Sequence, residues 1–179
     1  MANPQIQHSL HGREIGLGLK NELILRDEAR SGLNDAQVLV WSIARVTVTT
    51  AQVLALNATP ITLVAAPGAL KAIIVDHIEL YMDYAGTQYV DDAGDDLAFS
   101  YTDGSGIQVC PPIDGADFIG LAADAYAYTP GVEPNAVQGM VPVVNAAVVI
   151  SMLTGEVITG DSDIIVHTYY RIVDTVLTA

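Results

Sequence analysis

From Ile78 to Tyr84 the chain alternates without a break. Ile78, Leu80, Met82 and Tyr84 fall on one side, and His77, Glu79, Tyr81 and Asp83 on the other. A period of two predicts a strand with one buried and one wetted face across AIIVDHIELYMDY, residues 72–84. Just upstream, ITLVAAP (61–67) predicts a second strand, with Pro67 and Gly68 as the turn of a hairpin joining the two. IIVHTYYRIV repeats the alternation near the end of the chain, placing Ile164, Val166, Thr168, Tyr170 and Ile172 on one face.

The same reading covers the rest of the body. VTVTT (46–50) alternates, and TAQVLALN (50–57) predicts one helical turn capped by Thr50. LAFSYTDGSG reads as a strand ending in an Asp-Gly turn, and DFIGLAADAY (117–126) as a short helix. TPGVEPN is a loop, AVQGMVPVV and NAAVVISML are strands, and TGEVITGDSD links them to the last strand. Strands about ten residues apart, punctuated by Gly, Asp and Pro, predict an all-β fold: an antiparallel sandwich or barrel.

The N-terminal stretch differs. Residues 1–18 contain Gly12, Gly16, Gly18 and Pro4 with no sustained periodicity, and read as an extended arm. LKNELILRDEARSG (19–32) suits either a short helix stopped by Gly32 or a strand through Glu22 to Arg26. Beyond it, Asn34 or Asp35 caps a helical turn, or VLVWSIARVTVTT runs as continuous strand. Trp41, the one tryptophan, is either a core anchor or an interface anchor. The expected organisation is an arm over 1–45 and a β-sandwich body over 46–179, with one or two short helices.

Charge sharpens that division. The chain has 179 residues and a formal net charge of −14. Arg13, Lys20, Arg26, Arg30 and Arg45 balance Glu14, Glu22, Asp27, Glu28 and Asp35 in residues 1–45, whereas the remainder has only Lys71 and Arg171 against 16 acids. An acidic body repels phosphate backbones, which argues against nucleic acid as a partner. Hydrophobic residues make up 51% and mean hydropathy is +0.37, which calls for strands buried on both faces or a subunit interface. No apolar run reaches the roughly 18–20 residues of a membrane-spanning helix, so no membrane partner is expected. MANPQIQHSLHGREIG lacks the apolar centre of a secretory signal. Without an export signal, the sequon Asn57-Ala58-Thr59 carries no information.

Candidate chemistry is sparse. Asp91, Asp92, Asp95 and Asp96 invite calcium, but their spacing matches no calcium loop and they read as a solvated loop. His77 and Glu79 form an H-x-E pair which, with His167, suggests a cupin-like metal site; the usual H-x-H pair is missing. No Gly-x-Ser-x-Gly elbow occurs, and GLGLKN (16–21) lacks the third glycine of a dinucleotide loop. Cys110, the one cysteine, sits beside Val109, Pro111 and Pro112 and reads as an inert buried thiol. Tyr81, Tyr84, Tyr89, Tyr101, Tyr126, Tyr128, Tyr169 and Tyr170 suit half-wet sheet faces and subunit contacts. The expectation is a non-enzyme with no catalytic residue, cofactor or metal.

Three stretches, VTVTTAQVLALNATPITLVAAPGALKAIIVDHIELYMDY, GDDLAFSYTDGSG and NAAVVISML…TGDSDIIVHTYYRIV, together resemble the capsid decoration, or cement, proteins of tailed bacteriophages. The resemblance spans roughly residues 46–174 and rests on overall pattern and on phrases such as LNATPITLVAAPG and YRIV. It implies a jelly-roll or related β-sandwich that sits on the capsid exterior of a virion assembled in the host cytoplasm. The implied partners are the major capsid protein and further copies of the chain, as a homotrimer or a dimer. The arm would then carry attachment by adding strands to exposed sheet edges, with Arg13, Leu19, Lys20, Leu23, Arg26, Arg30 and Trp41 as its partner-binding residues. The rival reading is a trimeric jelly-roll module of a phage tail or fibre, with tyrosine-rich loops that recognise a host glycan.

Overall fold

The computed structural model describes residues 9–10, 13–17, 23–26, 41–90, 96–132 and 141–175. The chain divides into two compact units, Met1–Val38 and Leu39–Ala179. In the first, β1 (Ser9–Leu10), β2 (Arg13–Leu17) and β3 (Leu23–Arg26) form an antiparallel sheet in that order, with Glu14 opposite Arg26 and Leu17 opposite Leu23. Of the two readings for residues 19–32, the strand is the one seen between Leu23 and Arg26. The alternatives for residues 34–40 lie outside the described residues.

The second unit is an antiparallel β-sandwich. Its first sheet has the order β4-β10-β6-β8, from Ser42–Val48, Asp163–Asp174, Lys71–Asp83 and Ala125–Pro130. Its second has the order β5-β9-β7, from Ile61–Val64, Val148–Met152 and Leu97–Tyr101. Isolated bridges Leu97↔Ile113 and Ser100↔Gln108 lay a further segment along the open side of β7. The second side thus has three strands and this bridged segment.

Alternation explains the packing. Ile73, Val75, Ile78, Leu80 and Met82 of β6, with Ile164 and Val166 of β10, meet Leu97, Phe99, Tyr101, Val148, Ile150 and Met152 of the second sheet in one buried core. Each fully buried Leu, Ile or Phe there contributes on the order of 1.5–3 kcal/mol. The face expected on the last strand is buried through Thr168, but Tyr170 is only partly covered and Ile172 is exposed. Ser42–Arg45, assigned to the arm from charge balance, form the first half of β4. Their alternation is continuous with Val46–Val48, and Ala44 and Val46 pack against the core.

Four expectations require correction. Strands 61–67 and 72–84 do not form a hairpin: β5 pairs with β9, β6 pairs with β10 and β8, and the link through Gly68 (φ +100°) crosses from one sheet to the other. The turn residues promised a change of direction, and long-range pairing chose the partner. Residues 117–126 are not a helix. Phe118 and Ile119 are both buried side by side in a tight turn closed by Phe118 N–H and Gly120 N–H onto the Gly115 carbonyl, and β8 begins at Ala125. Adjacent buried residues followed by exposed Leu121 do not follow a helical period. The helical turn α1 (Thr50–Val53) is capped by Thr49 instead of Thr50: Thr49 N–H donates to Gln52 Oε1 at 2.9 Å, while Thr50 N–H donates to Asp163 Oδ1 at 2.8 Å. A carboxylate at that end is favourable. Finally, the strand expected in NAAVVISML covers only Val148–Met152, and Val144 of the preceding segment makes a single bridge to Ala72.

Candidate functional site: the outer face of the four-stranded sheet

The outer face of the first sheet is laid out by register. Thr47, Ile165, Tyr81 and Tyr126 line up across the four strands, followed by Arg45, His167, Glu79 and Tyr128, and then by Ile43, Tyr169, His77 and Pro130. Tyr81, Tyr126 and Tyr128 are 43%, 53% and 54% exposed, and Ile43 is 60% exposed. These aromatics stand on strands, so the tyrosine-rich loops of the rival reading are not where the exposed tyrosines lie.

A β-bulge sets the geometry. Tyr169 pairs with His77 and Tyr170 with Val75, leaving Asp76 as the extra residue of β6. A bulge places its two residues on the same side of the sheet. Asp76 Oδ2 and His77 Nδ1 are accordingly 2.7 Å apart. An ionised carboxylate only accepts, so Nδ1 carries the proton and donates. The Asp76 carbonyl accepts the Gly131 N–H at 2.6 Å, and a Cβ on Gly131 would lie 2.0 Å from the Val75 carbonyl oxygen. Only glycine fits against the bulge.

Stacking and hydrogen bonds then tie the strands together. The His77 ring stacks on Tyr169 at 4.0 Å and 18°, and lies 5.3 Å from Tyr128. Tyr81 and Tyr126 are tilted at 4.9 Å, and Tyr81 lies 5.9 Å from His167. Cross-strand pairs of this kind each add about 0.2–1 kcal/mol, the more exposed ones at the low end. Glu79, half-buried in the middle, accepts the Tyr126 hydroxyl on Oε1 at 3.3 Å and the Tyr169 hydroxyl on Oε2 at 3.2 Å. Desolvation, with the Glu79 charge next, raises both phenols above their ordinary range, so they remain neutral donors. At the end of the face the Arg171 guanidinium lies 5.5 Å from the Trp41 ring centroid.

Trp41 is 42% exposed, which makes it a surface residue, not a core anchor. Arg13 falls on β2, and Leu23 and Arg26 on β3; Leu19, Lys20 and Arg30 lie outside the described residues, as do residues 91–95 of the acidic loop. Among the described residues no group of three or more His, Cys, Asp and Glu is placed to hold a metal ion, although His167 pairs across from Glu79. Cys110 is buried, and desolvation pushes its thiol up to about 12. Reading each tyrosine separately missed the assembled face. The available signal was AYAYTP, where Tyr126, Tyr128 and Pro130 recur with a period of two that the helix assignment overrode.

No protein-family model matches the chain, and no curated protein matches it either. Comparison with solved structures finds a likeness to a chain of the capsid asymmetric unit of the cyanophage Pam1, at a TM-score of 0.41 and 18% identity, over 80% of this chain and 93% of that one. At that score the likeness carries no argument about function.

Proposed function

We propose that this protein is a structural component of a phage virion, which binds the outside of the capsid and stabilises the shell as a cement protein. The observation that carries the reading is the resemblance of residues 46–174 to capsid decoration proteins, joined to a strong division of charge. The unit Leu39–Ala179 holds Arg45, Lys71 and Arg171 against 16 acids, whereas Met1–Val38 holds four cations and five acids. A near-neutral arm lies against a shell more readily than an acidic body, and the body turned outward keeps particles mutually repulsive. Multiple attachment around a symmetry axis makes weak single contacts collectively strong. The role is structural and calls for no cofactor. Arg13, Lys20, Arg26 and Arg30 are the arm residues expected to meet the major capsid protein.

The test is co-sedimentation with phage capsid shells. The full chain should bind to saturation and raise the temperature at which shells rupture. Removal of residues 1–38, which spares β4 whole, should abolish binding. Full occupancy by the truncated chain sinks the role of the arm, and failure of the full chain to bind sinks the reading altogether.

A further inference from the structure

Among the described residues of the Leu39–Ala179 unit no segment covers the outer face of the four-stranded sheet, and the chemistry of that face is self-complementary. We propose that it is the docking surface for a second copy of this chain, the two sheets meeting face to face about a two-fold axis that runs along the strands between β10 and β6. The proposal does not depend on the virion reading.

Two observations select the occupant. The first is electrostatic. Arg45 and Arg171, two of the three cations of the Leu39–Ala179 unit, stand on this sheet with His77 and His167 beside them. Lys71, the third cation, begins β6, so the sheet carries all three against Asp76, Glu79, Asp83, Asp163 and Asp174. The other acids of the unit lie on segments with no cation at all. Two copies approaching through those surfaces repel, whereas this face is the least acidic of the unit, its like-charged row being Asp83 and Asp163 at one end.

The second is the order of residues within each row. An axis between the two central strands places β10 of one copy over β6 of the other, and β4 over β8. Glu79 then faces His167 of the other copy, His77 faces Tyr169, and Arg45 faces Tyr128. Each pairing occurs twice, and each joins a carboxylate to an imidazole, two rings, or a guanidinium to an aromatic face. Stacked sheets cross at about 30°, which displaces outer strands most and the central Glu79–His167 pairing least. Exposed Ile43 at the β4 edge faces Pro130 at the β8 edge, giving the rim an apolar contact.

The size of the face sets the expected affinity. Four strands about 4.8 Å apart and three rows of alternate residues cover on the order of 400 Å² per copy, at or below the low end of specific interfaces. Association should therefore be weak in isolation and strengthened where copies are concentrated.

Sedimentation equilibrium of the full chain up to millimolar concentration tests this, with nuclear magnetic resonance dilution shifts to locate the contact. The expected result is a reversible monomer–dimer equilibrium with shifts confined to β4, β6, β8 and β10. Arg45→Glu and Tyr128→Ser should each weaken dimerisation at least tenfold, while Ile158→Ser, at an equally exposed site in the 153–162 link, should not. Unchanged circular dichroism and melting temperature in all three variants show that folding is intact. A chain that stays monomeric throughout, or one whose association ignores both variants, overturns the proposal. So does a neutral oligosaccharide that shifts the same residues while the chain alone remains monomeric.

Discussion

The two sheets of the body share one core and have opposite outer faces. On the four-stranded sheet the outward positions are large, aromatic and hydrogen-bonded through Glu79, and several stand more than 40% exposed. On the three-stranded sheet every residue of β7 and β9 is buried, on both faces. Its outward positions are small: Ala98, Ser100, Val149 and Ser151. A Cβ on Gly104, in the turn after β7, would lie 3.0 Å from Ser151 Cβ and Oγ, which shows how closely that turn lies over the sheet. The Ser100 and Ser151 hydroxyls are buried without a hydrogen-bond partner among the described residues. In one sheet β7 and β9 are covered on both sides by their own chain; the other leaves large aromatic positions open to solvent.

The contrast can be broken by substitution. Phe99→Ala in β7, beneath both faces, should cost about 3–5 kcal/mol of unfolding free energy in a denaturant titration, because the cavity lies where neither sheet can collapse. Alkaline pH should act on the same side of the molecule. Burial raises the Tyr101 phenol to about 12 and Cys110 likewise, so both stay protonated in the fold after their unfolded counterparts have ionised. The Cys110 contribution is therefore complete below about pH 8.5 and the Tyr101 contribution below about pH 10, and each falls from there toward pH 12 by about 1.4 kcal/mol per pH unit. Melts between pH 8 and 12 should show that fall, and Cys110→Ala should reduce its slope.

Smaller effects separate the outer faces. Gly131→Ala should cost about 1–3 kcal/mol by forcing the chain away from the bulge at Asp76, and should move the His77 and Tyr169 ring resonances together. Ser100→Ala removes an unpartnered buried hydroxyl, and should be neutral or stabilising by up to about 1 kcal/mol. Tyr128→Ala should change monomer stability by no more than about 0.5 kcal/mol. Equal losses at Phe99 and Tyr128 would erase the distinction between the faces.

The strands that alternate were legible in the sequence, because burial on one face writes its period into the residues. Ile78, Leu80 and Met82 are buried as expected, and so are Ile164, Val166 and Thr168. The class of fold followed from their spacing. Partner choice did not follow: Pro67 and Gly68 mark a turn between β5 and β6, but nothing local to them says that β5 will pair with Val148–Ile150. Residues buried on both faces misled in another way. Phe118 and Ile119 carry the hydrophobicity of a helix without its period, and the turn at Gly115 and Gly120 takes them inward as neighbours. The tyrosine face was visible only as a list, because Tyr81, Tyr126 and Tyr169 come from three distant segments and meet only through the order β10-β6-β8.

The extra residue at Asp76 gives β6 two lives along one strand. On the Lys71 side, Ala72, Ile73 and Val75 are all buried, and substitutions there are felt throughout the fold. Beyond the bulge only every second residue is committed to the interior, and His77, Glu79, Tyr81 and Asp83 answer to their outward neighbours across the strands instead of to the core. Selection can thus rewrite the outward surface, and with it the choice of neighbour, while leaving the supporting beam untouched.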